Sequence, residues 1–89
     1  MTAQLSSMAK PGAITALVIA KNEAANIGPC LESLGGLVAS IIVVVDDGTT
    51  DDTAEIARLR GAQVFVRPWQ GFSAAKAFGL EQISTEWAL

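Results

Sequence analysis

The fold is decided by the stretch IIVVVDDGTTD at residues 41–51. Its five consecutive β-branched residues, Ile41–Val45, predict a strand. The acidic turn Asp46-Asp47-Gly48 ends that strand, and Thr49 or Thr50 is expected to cap a helix that runs from Asp51 to Arg60. The stretch therefore predicts a strand, a polar turn and a helix in succession.

The same alternation of strand and helix continues on both sides of this stretch. The run Ile14–Ala20 is apolar without alternation, as expected of a strand buried on both faces. The other predicted elements are a helix from the cap Asn26 to Leu34, a strand Gln63–Val66, a helix from Ser73 to about Ile83, and the first residues of a fourth strand at Glu86–Leu89. The order β-α-β-α-β-α-(β) predicts an α/β fold with a parallel sheet and right-handed crossovers.

Composition excludes several classes of protein. The chain has 89 residues, of which 51% are hydrophobic and 17% charged, so intrinsic disorder is excluded. A net charge of -3 argues against a nucleic-acid partner. The apolar runs are too short for a transmembrane segment, and the single cysteine, Cys30, predicts a small core residue rather than a disulfide. We expect a cytoplasmic domain, with the inner face of the membrane as one option for its location.

Polar residues follow each predicted strand, at the edge where open α/β sheets bind ligands. They are Lys21-Asn22-Glu23, Asp46-Asp47-Gly48-Thr49, and Arg67. Neither of the glycine-rich phosphate-binding motifs, GxGxxG and GxxxxGK[ST], occurs in the chain, which argues against a dinucleotide-binding domain or a P-loop nucleoside triphosphatase. The ligand site is therefore expected among these three clusters.

The pair Asp46-Asp47 has two interpretations. Both carboxylates could be solvated turn formers or helix caps. Alternatively, one of them accepts a hydrogen bond from a ligand N–H, such as the imide of uracil. A shared metal ion is a weaker option because adjacent side chains rarely point at one cation. A receiver domain would need a further aspartate where Arg67-Pro68 stands.

Two segments resemble the N-terminal half of family 2 glycosyltransferases of the GT-A fold. They are residues 16–23, ALVIAKNE, and residues 41–51. The run Arg67–Phe72, RPWQGF, followed by Ala75-Lys76, is similar to the branch that includes lipopolysaccharide core glucosyltransferases. The resemblance covers residues 14–89 and implies a Rossmann-like half-domain at 13–89. Residues 1–12 are small and polar without periodicity and end in the turn signal Pro11-Gly12, which predicts a flexible leader.

The resemblance also implies binding of a nucleoside diphosphate sugar, UDP-linked by preference, for transfer to a glycan or lipid-linked acceptor. The residues it assigns to nucleotide binding are Ala20, Lys21, Asn22, Glu23, Asp46, Asp47 and Lys76. Other roles stay open: Lys76 as an exposed helix lysine, Glu23 as a turn carboxylate, and Trp69 with Phe72 as a wall of the site or as cover for the sheet.

The chain departs from the family pattern at two substituted positions and by a missing motif. Ala77 stands where the family commonly has asparagine, and Thr49 replaces the more usual serine. In the family a D-x-D motif after the fourth strand holds Mg²⁺ or Mn²⁺ on the diphosphate, and no D-x-D occurs in this sequence. No metal ligand and no catalytic base can be assigned, so we expect no catalysis from this chain alone.

Two further expectations follow. The resemblance implies the sheet order 3-2-1-4, counted over the four predicted strands. With only the start of the fourth strand in the chain, this order would leave the edge of Ile14–Ala20 open, which predicts self-association. The alternative to an enzyme is a catalytically inactive, truncated module that binds a nucleotide or a partner chain. An unrelated Rossmann-like binding module is a third hypothesis, which a preference for NAD or ATP over UDP would favour.

Overall fold

The computed structural model describes residues 2–4, 14–83 and 87–88. Within these residues, five strands and three helices follow one another as β1 (Thr2–Gln4), β2 (Ile14–Ala20), α1 (Ala24–Gly35), β3 (Ser40–Asp46), α2 (Thr53–Leu59), β4 (Gln63–Arg67), α3 (Phe72–Glu81) and β5 (Trp87–Ala88). The predicted α/β alternation and the predicted fourth strand are confirmed.

The sheet is built around the three strands β4, β3 and β2, which are mutually parallel. On its other edge β2 pairs with β5 in parallel, with Ile14 opposite Trp87. The order β4-β3-β2-β5 is the one that the family resemblance implies. It brings the carboxyl ends of β2, β3 and β4 to one side of the sheet.

Each face of the sheet carries its own apolar cluster. Val18, Val43 and Val45 lie on the face covered by α1 and α2, together with Ile27 and Leu31 of α1. The opposite face carries a smaller cluster, against which α3 packs: Leu17, Ile19, Ile42, Val44, Phe65, Ala75 and Phe78. Every residue of β2 is buried, which explains why its sequence shows no polar alternation.

The helices begin at different residues from those predicted. The expected cap Asn26 lies inside α1, because the backbone N–H groups of Asn26 and Ile27 already bond to the carbonyl of Glu23. Helix α2 begins at Thr53, not after Thr49 or Thr50, and Ser73 lies inside α3, which begins at Phe72. At the start of α1, contacts with the distant loop after β3 replace the local cap. At the start of α2, the N–H of Thr53 bonds locally to the Asp51 carboxylate at 3.0 Å.

The segment expected to be a flexible leader, residues 1–12, contains a strand. Thr2–Gln4 form β1, which pairs antiparallel with Leu17–Ile19 of β2. Main-chain hydrogen bonding needs no apolar periodicity, and so composition gave no signal for it. The other residues of the expected leader lie outside the described ones.

The expectation of an open β2 edge is also wrong over most of its length. Strand β1 covers Leu17–Ile19 and β5 covers Ile14 and Thr15 on that edge. Self-association itself stays a prediction. Among the described residues, no helix combines the length and the apolar character that a membrane crossing requires.

Candidate functional site at the carboxyl ends of the strands

Three charged residues form a row across the ends of the parallel strands. Asp46 ends β3 and stands in register with Arg67, which ends β4. Lys21 follows Ala20, the register partner of Val45, and so comes opposite Asp46 on the other side. Alternate residues of a strand share a face, so this row lies on the α3 face of the sheet. The row presents a cation, an anion and a cation in that order.

Asp46 is the buried member of the row, with only 5% of its surface exposed. Its Oδ1 accepts a hydrogen bond of 2.8 Å from the backbone N–H of Gly48, and its Oδ2 lies 3.8 Å from Lys21 Nζ. A β-carbon at Gly48 would stand 3.3 Å from Oδ1, so glycine lets the turn close around the carboxylate. A carboxylate with so little water needs such partners.

An open cleft lies beside Asp46, between the strand ends and α3. It encloses about 430 Å³, solvent at its mouth included. Its floor is apolar and one wall is the segment after β4; the lining residues are Val44, Asp46, Arg67, Pro68, Trp69, Gln70, Ala74, Ala75 and Phe78. We call this the Asp46 cleft. An apolar cleft with a few convergent polar groups is the usual form of a small-molecule site.

Arg67 is held at this cleft by an aromatic ring. Its guanidinium carbon lies 4.3 Å from the centre of the Phe78 ring. Phe78 in turn meets Phe65 edge to face, with centroids 5.4 Å apart and planes at 75°. Among the described residues none accepts a hydrogen bond from the guanidinium. A guanidinium held over a ring keeps the N–H groups that do not face the ring available to a ligand.

The loops after β2 and β3 are tied together by hydrogen bonds that we call the inter-loop network. The side chain of Asn22, in the loop after β2, bonds to the loop after β3: its Oδ1 accepts a hydrogen bond from the backbone N–H of Thr50 at 2.8 Å. The N–H of Asn22 donates to Thr49 Oγ1 at 3.3 Å. Asn22 has φ +50, a left-handed conformation that asparagine tolerates better than most residues.

A second part of the inter-loop network lies at the start of α1 and α2. The hydroxyl of Thr53, fully buried, accepts from the backbone N–H of Glu23 at 2.8 Å and donates to Asp51. The Asp51 carboxylate also accepts from the N–H of Ala24 at 3.1 Å. These bonds satisfy N–H groups at the beginning of α1 that a local cap would otherwise serve.

The same bonds act on the charge of Asp51. The hydrogen bond from Thr53 lowers the pKa of this carboxyl below its usual range, and the N–H groups of Ala24 and Thr53 act in the same direction. The ionised form of Asp51 is therefore the one that the folded loops stabilise.

The predicted site residues fall into three groups. Lys21 and Asp46 meet in the charged row; Ala20 is buried at the end of β2 beside them. Asn22 and Glu23 belong to the inter-loop network, where they hold backbone in place. Asp47 and Lys76 join neither group: Asp47 is exposed, and Lys76 is half-buried on α3 outside the cleft lining.

The sequence analysis placed Arg67 at the ligand-binding edge and left Trp69 open as a wall of the site, but it assigned neither to nucleotide binding. Both residues line the Asp46 cleft. The signal available was the position of Arg67 directly after a strand. Within the part of the chain that the structure describes, no group of three or more acidic, histidine or cysteine side chains could hold a metal ion. The described residues thus do not fit the divalent cation that the resemblance implies.

Comparison with known proteins gives one family. Residues 15–89 match the model of glycosyl transferase family 2. An uncharacterized glycosyltransferase of Rickettsia prowazekii is 40% identical over 76 residues, covering 85% of this chain and 26% of its own. The lipopolysaccharide core biosynthesis glycosyltransferase LpsC of Rhizobium meliloti is 37% identical over 79 residues, 83% of this chain and 28% of its own.

A further relative is an uncharacterized glycosyltransferase of Mycobacterium bovis, 42% identical over an alignment of 65 residues; the match covers 64% of this chain and 30% of that protein. The chain spans about a quarter of the length of the first of these curated relatives. No solved structure matches it.

Proposed function

The chain belongs to glycosyl transferase family 2, and on this premise we propose that it forms the donor-binding part of an enzyme that transfers a sugar from UDP to a glycan or lipid-linked acceptor. The observation that carries the proposal is the buried Asp46 carboxylate beside an apolar cleft at the strand ends. The donor, the acceptor and the transfer step are all parts of the proposal.

The uracil base is proposed to enter the Asp46 cleft. A buried carboxylate accepts hydrogen bonds and repels other acceptors, so it favours a base that offers an N–H. Asp46 fits this role better than Asp47 because Asp46 lines the cleft, whereas Asp47 is exposed to solvent. Trp69, 49% exposed at the cleft wall, supplies an aromatic surface for the base.

In the proposed reaction an acceptor hydroxyl attacks the anomeric carbon of the donor sugar. The bond from that carbon to the diphosphate oxygen breaks, the diphosphate leaves with the bonding electrons, and a base takes the hydroxyl proton. The described residues supply donor binding only. The base, and ligands for a Mg²⁺ or Mn²⁺ ion on the diphosphate, would come from outside them.

The acceptor class rests on a relative. LpsC is named for lipopolysaccharide core biosynthesis, and its match to this chain covers 83% of it. A lipopolysaccharide core sugar is therefore the acceptor we propose, with the cell envelope as the destination of the product.

A second candidate is a nucleotide-binding module without transferase activity. The observation in its favour is the missing metal-ligand cluster in the described part of the chain. Release of UDP from UDP-glucose in the presence of Mn²⁺ separates the two candidates when it is assayed with the product of the full gene, because the described residues alone supply donor binding only. A module that only binds releases no UDP.

Titration of the 89-residue protein with UDP, followed by NMR, tests the donor site. We expect shifts in the backbone amides of residues 46–48 and in the indole of Trp69, saturating at millimolar UDP. Asp46→Asn should weaken binding about tenfold, because a charged hydrogen-bond acceptor is lost. The proposal is wrong if wild-type protein shows no shift.

Two matched variants control this experiment. Asp47→Asn separates the two carboxylates of the turn and should change UDP affinity less than Asp46→Asn does. Asp52→Asn makes the same chemical change at an exposed position that makes no side-chain cap for α2. It should leave the titration unchanged.

A further inference from the structure

Strand β4 is the open edge of the sheet. Among the described residues it pairs only with β3, whereas the outer edge of β2 carries both β1 and β5. The sequence of β4, QVFVR, contains neither proline nor lysine, the residues with which proteins commonly block such an edge. Its Val66 side chain is 47% exposed. Strand β4 is therefore a template on which a further strand can pair.

The backbone of β4 shows which of its groups can make that pairing. The carbonyl of Arg67 accepts a hydrogen bond of 2.9 Å from the N–H of Asp47, so Arg67 points its backbone groups at β3. Backbone groups alternate in direction along a strand, so those of Phe65 also point at β3, and those of Val64 and Val66 point away from the sheet. The open edge thus offers the N–H and C=O groups of Val64 and Val66.

We propose that β4 pairs antiparallel with β4 of a second copy of the chain, around a two-fold axis at Phe65, so that the two sheets become one. In this register Val64 of each copy lies opposite Val66 of the other and exchanges both main-chain hydrogen bonds with it. Phe65 lies opposite Phe65 of the second copy, in a pair without main-chain hydrogen bonds, where side chains approach most closely. All outward backbone groups of Val64 and Val66 are then satisfied.

A second copy fits this edge because the strand is complementary to itself. Arg67 lies opposite Gln63 of the second copy, whose amide oxygen can accept a hydrogen bond from a guanidinium, and no two like charges meet. The exposed side chain of Val66 is covered by Val64. A register centred on Val66 instead would place Pro68, which has no N–H, opposite Val64. The axis at Phe65 is therefore the favoured one.

Helix α2 enlarges the contact. It packs on β3 and β4, on the face of the sheet that carries Val64. With strands about 4.8 Å apart, a two-fold axis beside β4 brings the two copies of α2 about 10 Å from each other, a usual packing distance of helices. On the opposite face, the pairing places Gln63 of the second copy next to Arg67, which lines the Asp46 cleft. The second copy thus contributes a polar group to the rim of that cleft.

Sedimentation equilibrium of the 89-residue protein at several concentrations tests the pairing. The contact is small, so the mass should rise from 9.2 kDa towards twice that value at protein concentrations on the order of 0.1 mM. Val66→Lys places an ammonium at the paired edge and should raise the dissociation constant about tenfold or more. Leu80→Lys is the matched control, because Leu80 is 45% exposed and lies on α3. It should change the dissociation constant by less than about twofold.

Amide hydrogen exchange tests the register. The amides of Val64 and Val66 should exchange quickly in dilute protein and slow down as the concentration rises through the dissociation constant. The amide of Phe65 points at β3 and should be protected at every concentration. In Val66→Lys the Val64 amide should exchange quickly at concentrations where wild type is a dimer. Retained protection of Phe65 in that variant verifies that its sheet is intact.

Three results would overturn the inference. A mass of one chain at all concentrations up to about 1 mM would exclude a second copy as the occupant of the edge. Leu80→Lys weakening association as much as Val66→Lys would assign the contact to α3. Association without slower exchange at Val64 and Val66 would exclude pairing through β4. None of these results bears on the proposed function, which the UDP titration tests separately.

Discussion

Gly79 of α3 rests directly on Leu17 of β2, with no room for a side chain between them. A β-carbon built at Gly79 would stand 2.9 Å from Leu17 Cδ2 and closer still to Cδ1. Gly79 is itself buried within the helix. This contact sets the distance of α3 from the sheet, and with it the width of the Asp46 cleft, which α3 borders through Ala75 and Phe78.

Gly79→Ala should therefore destabilise the protein although alanine is the better helix former. Overpacking of a filled core costs about 1–3 kcal/mol, more than the roughly 1 kcal/mol that helix propensity returns. Urea unfolding followed by circular dichroism measures the free energy of unfolding. Gly35→Ala is the control: nothing lies within 4 Å of its added β-carbon at the end of α1. Equal effects of the two substitutions would contradict the close contact.

Thr53 joins the loops after β2 and β3 through a buried hydroxyl. Thr53→Val keeps the shape of the side chain but leaves the N–H of Glu23 without its 2.8 Å acceptor. We expect a loss of about 1–3 kcal/mol in the free energy of unfolding, the usual cost of an unsatisfied buried donor. Thr50→Val, at an exposed position, should cost much less because the N–H of Thr50 still bonds to Asn22. A neutral Thr53→Val would show that water replaces the hydroxyl.

The lowered pKa of Asp51 predicts how stability depends on pH. The folded-state pKa lies below the usual value of 3.8, mainly because of the hydrogen bond from Thr53. Between the two values the unfolded chain binds more protons, so stability rises with pH there. The contribution is present above the unfolded value and is lost as pH falls through the folded one.

Urea unfolding at several pH values between about 2.5 and 6 measures this slope. Asp51→Asn should flatten it in the acidic range, because the amide does not titrate. Asp52→Asn, at the neighbouring exposed position, serves as the control. The interpretation is wrong if Asp51→Asn keeps the wild-type slope.

The sequence was sufficient for strands β2 to β5 and their order along the chain because these depend on short-range signals. The apolar runs at Ile14–Ala20 and Ile41–Val45 and the polar turns after them define buried parallel strands. Contacts that join residues distant in the chain were not predictable in this way. The bond from Glu23 to Thr53 spans 30 residues and moves the start of α1 away from Asn26. The placement of Arg67 over Phe78 likewise needs β4 and α3 in position first.

The strand β1 protects the β2 edge at Leu17–Ile19, and its removal should cause self-association. Successive residues of an antiparallel strand point their N–H groups in opposite directions, so only one of the two residues Ala3 and Gln4 donates its N–H to β2. One of the two variants, Ala3→Pro or Gln4→Pro, therefore removes a hydrogen bond to β2 and the other does not. The exposed edge then offers unpaired N–H and C=O groups to a second copy of the chain.

Light scattering after size-exclusion chromatography should give a larger mass for the proline variant that loses the hydrogen bond to β2 than for wild type at the same concentration. Amide hydrogen exchange at Leu17–Ile19 should quicken in that variant at dilutions where it is monomeric. Ala3→Val retains the backbone N–H and should behave as wild type. If both proline variants keep the wild-type mass and exchange rates, β1 does not hold the edge, and the pairing of β2 with β5 at Ile14 and Thr15 is sufficient to protect it.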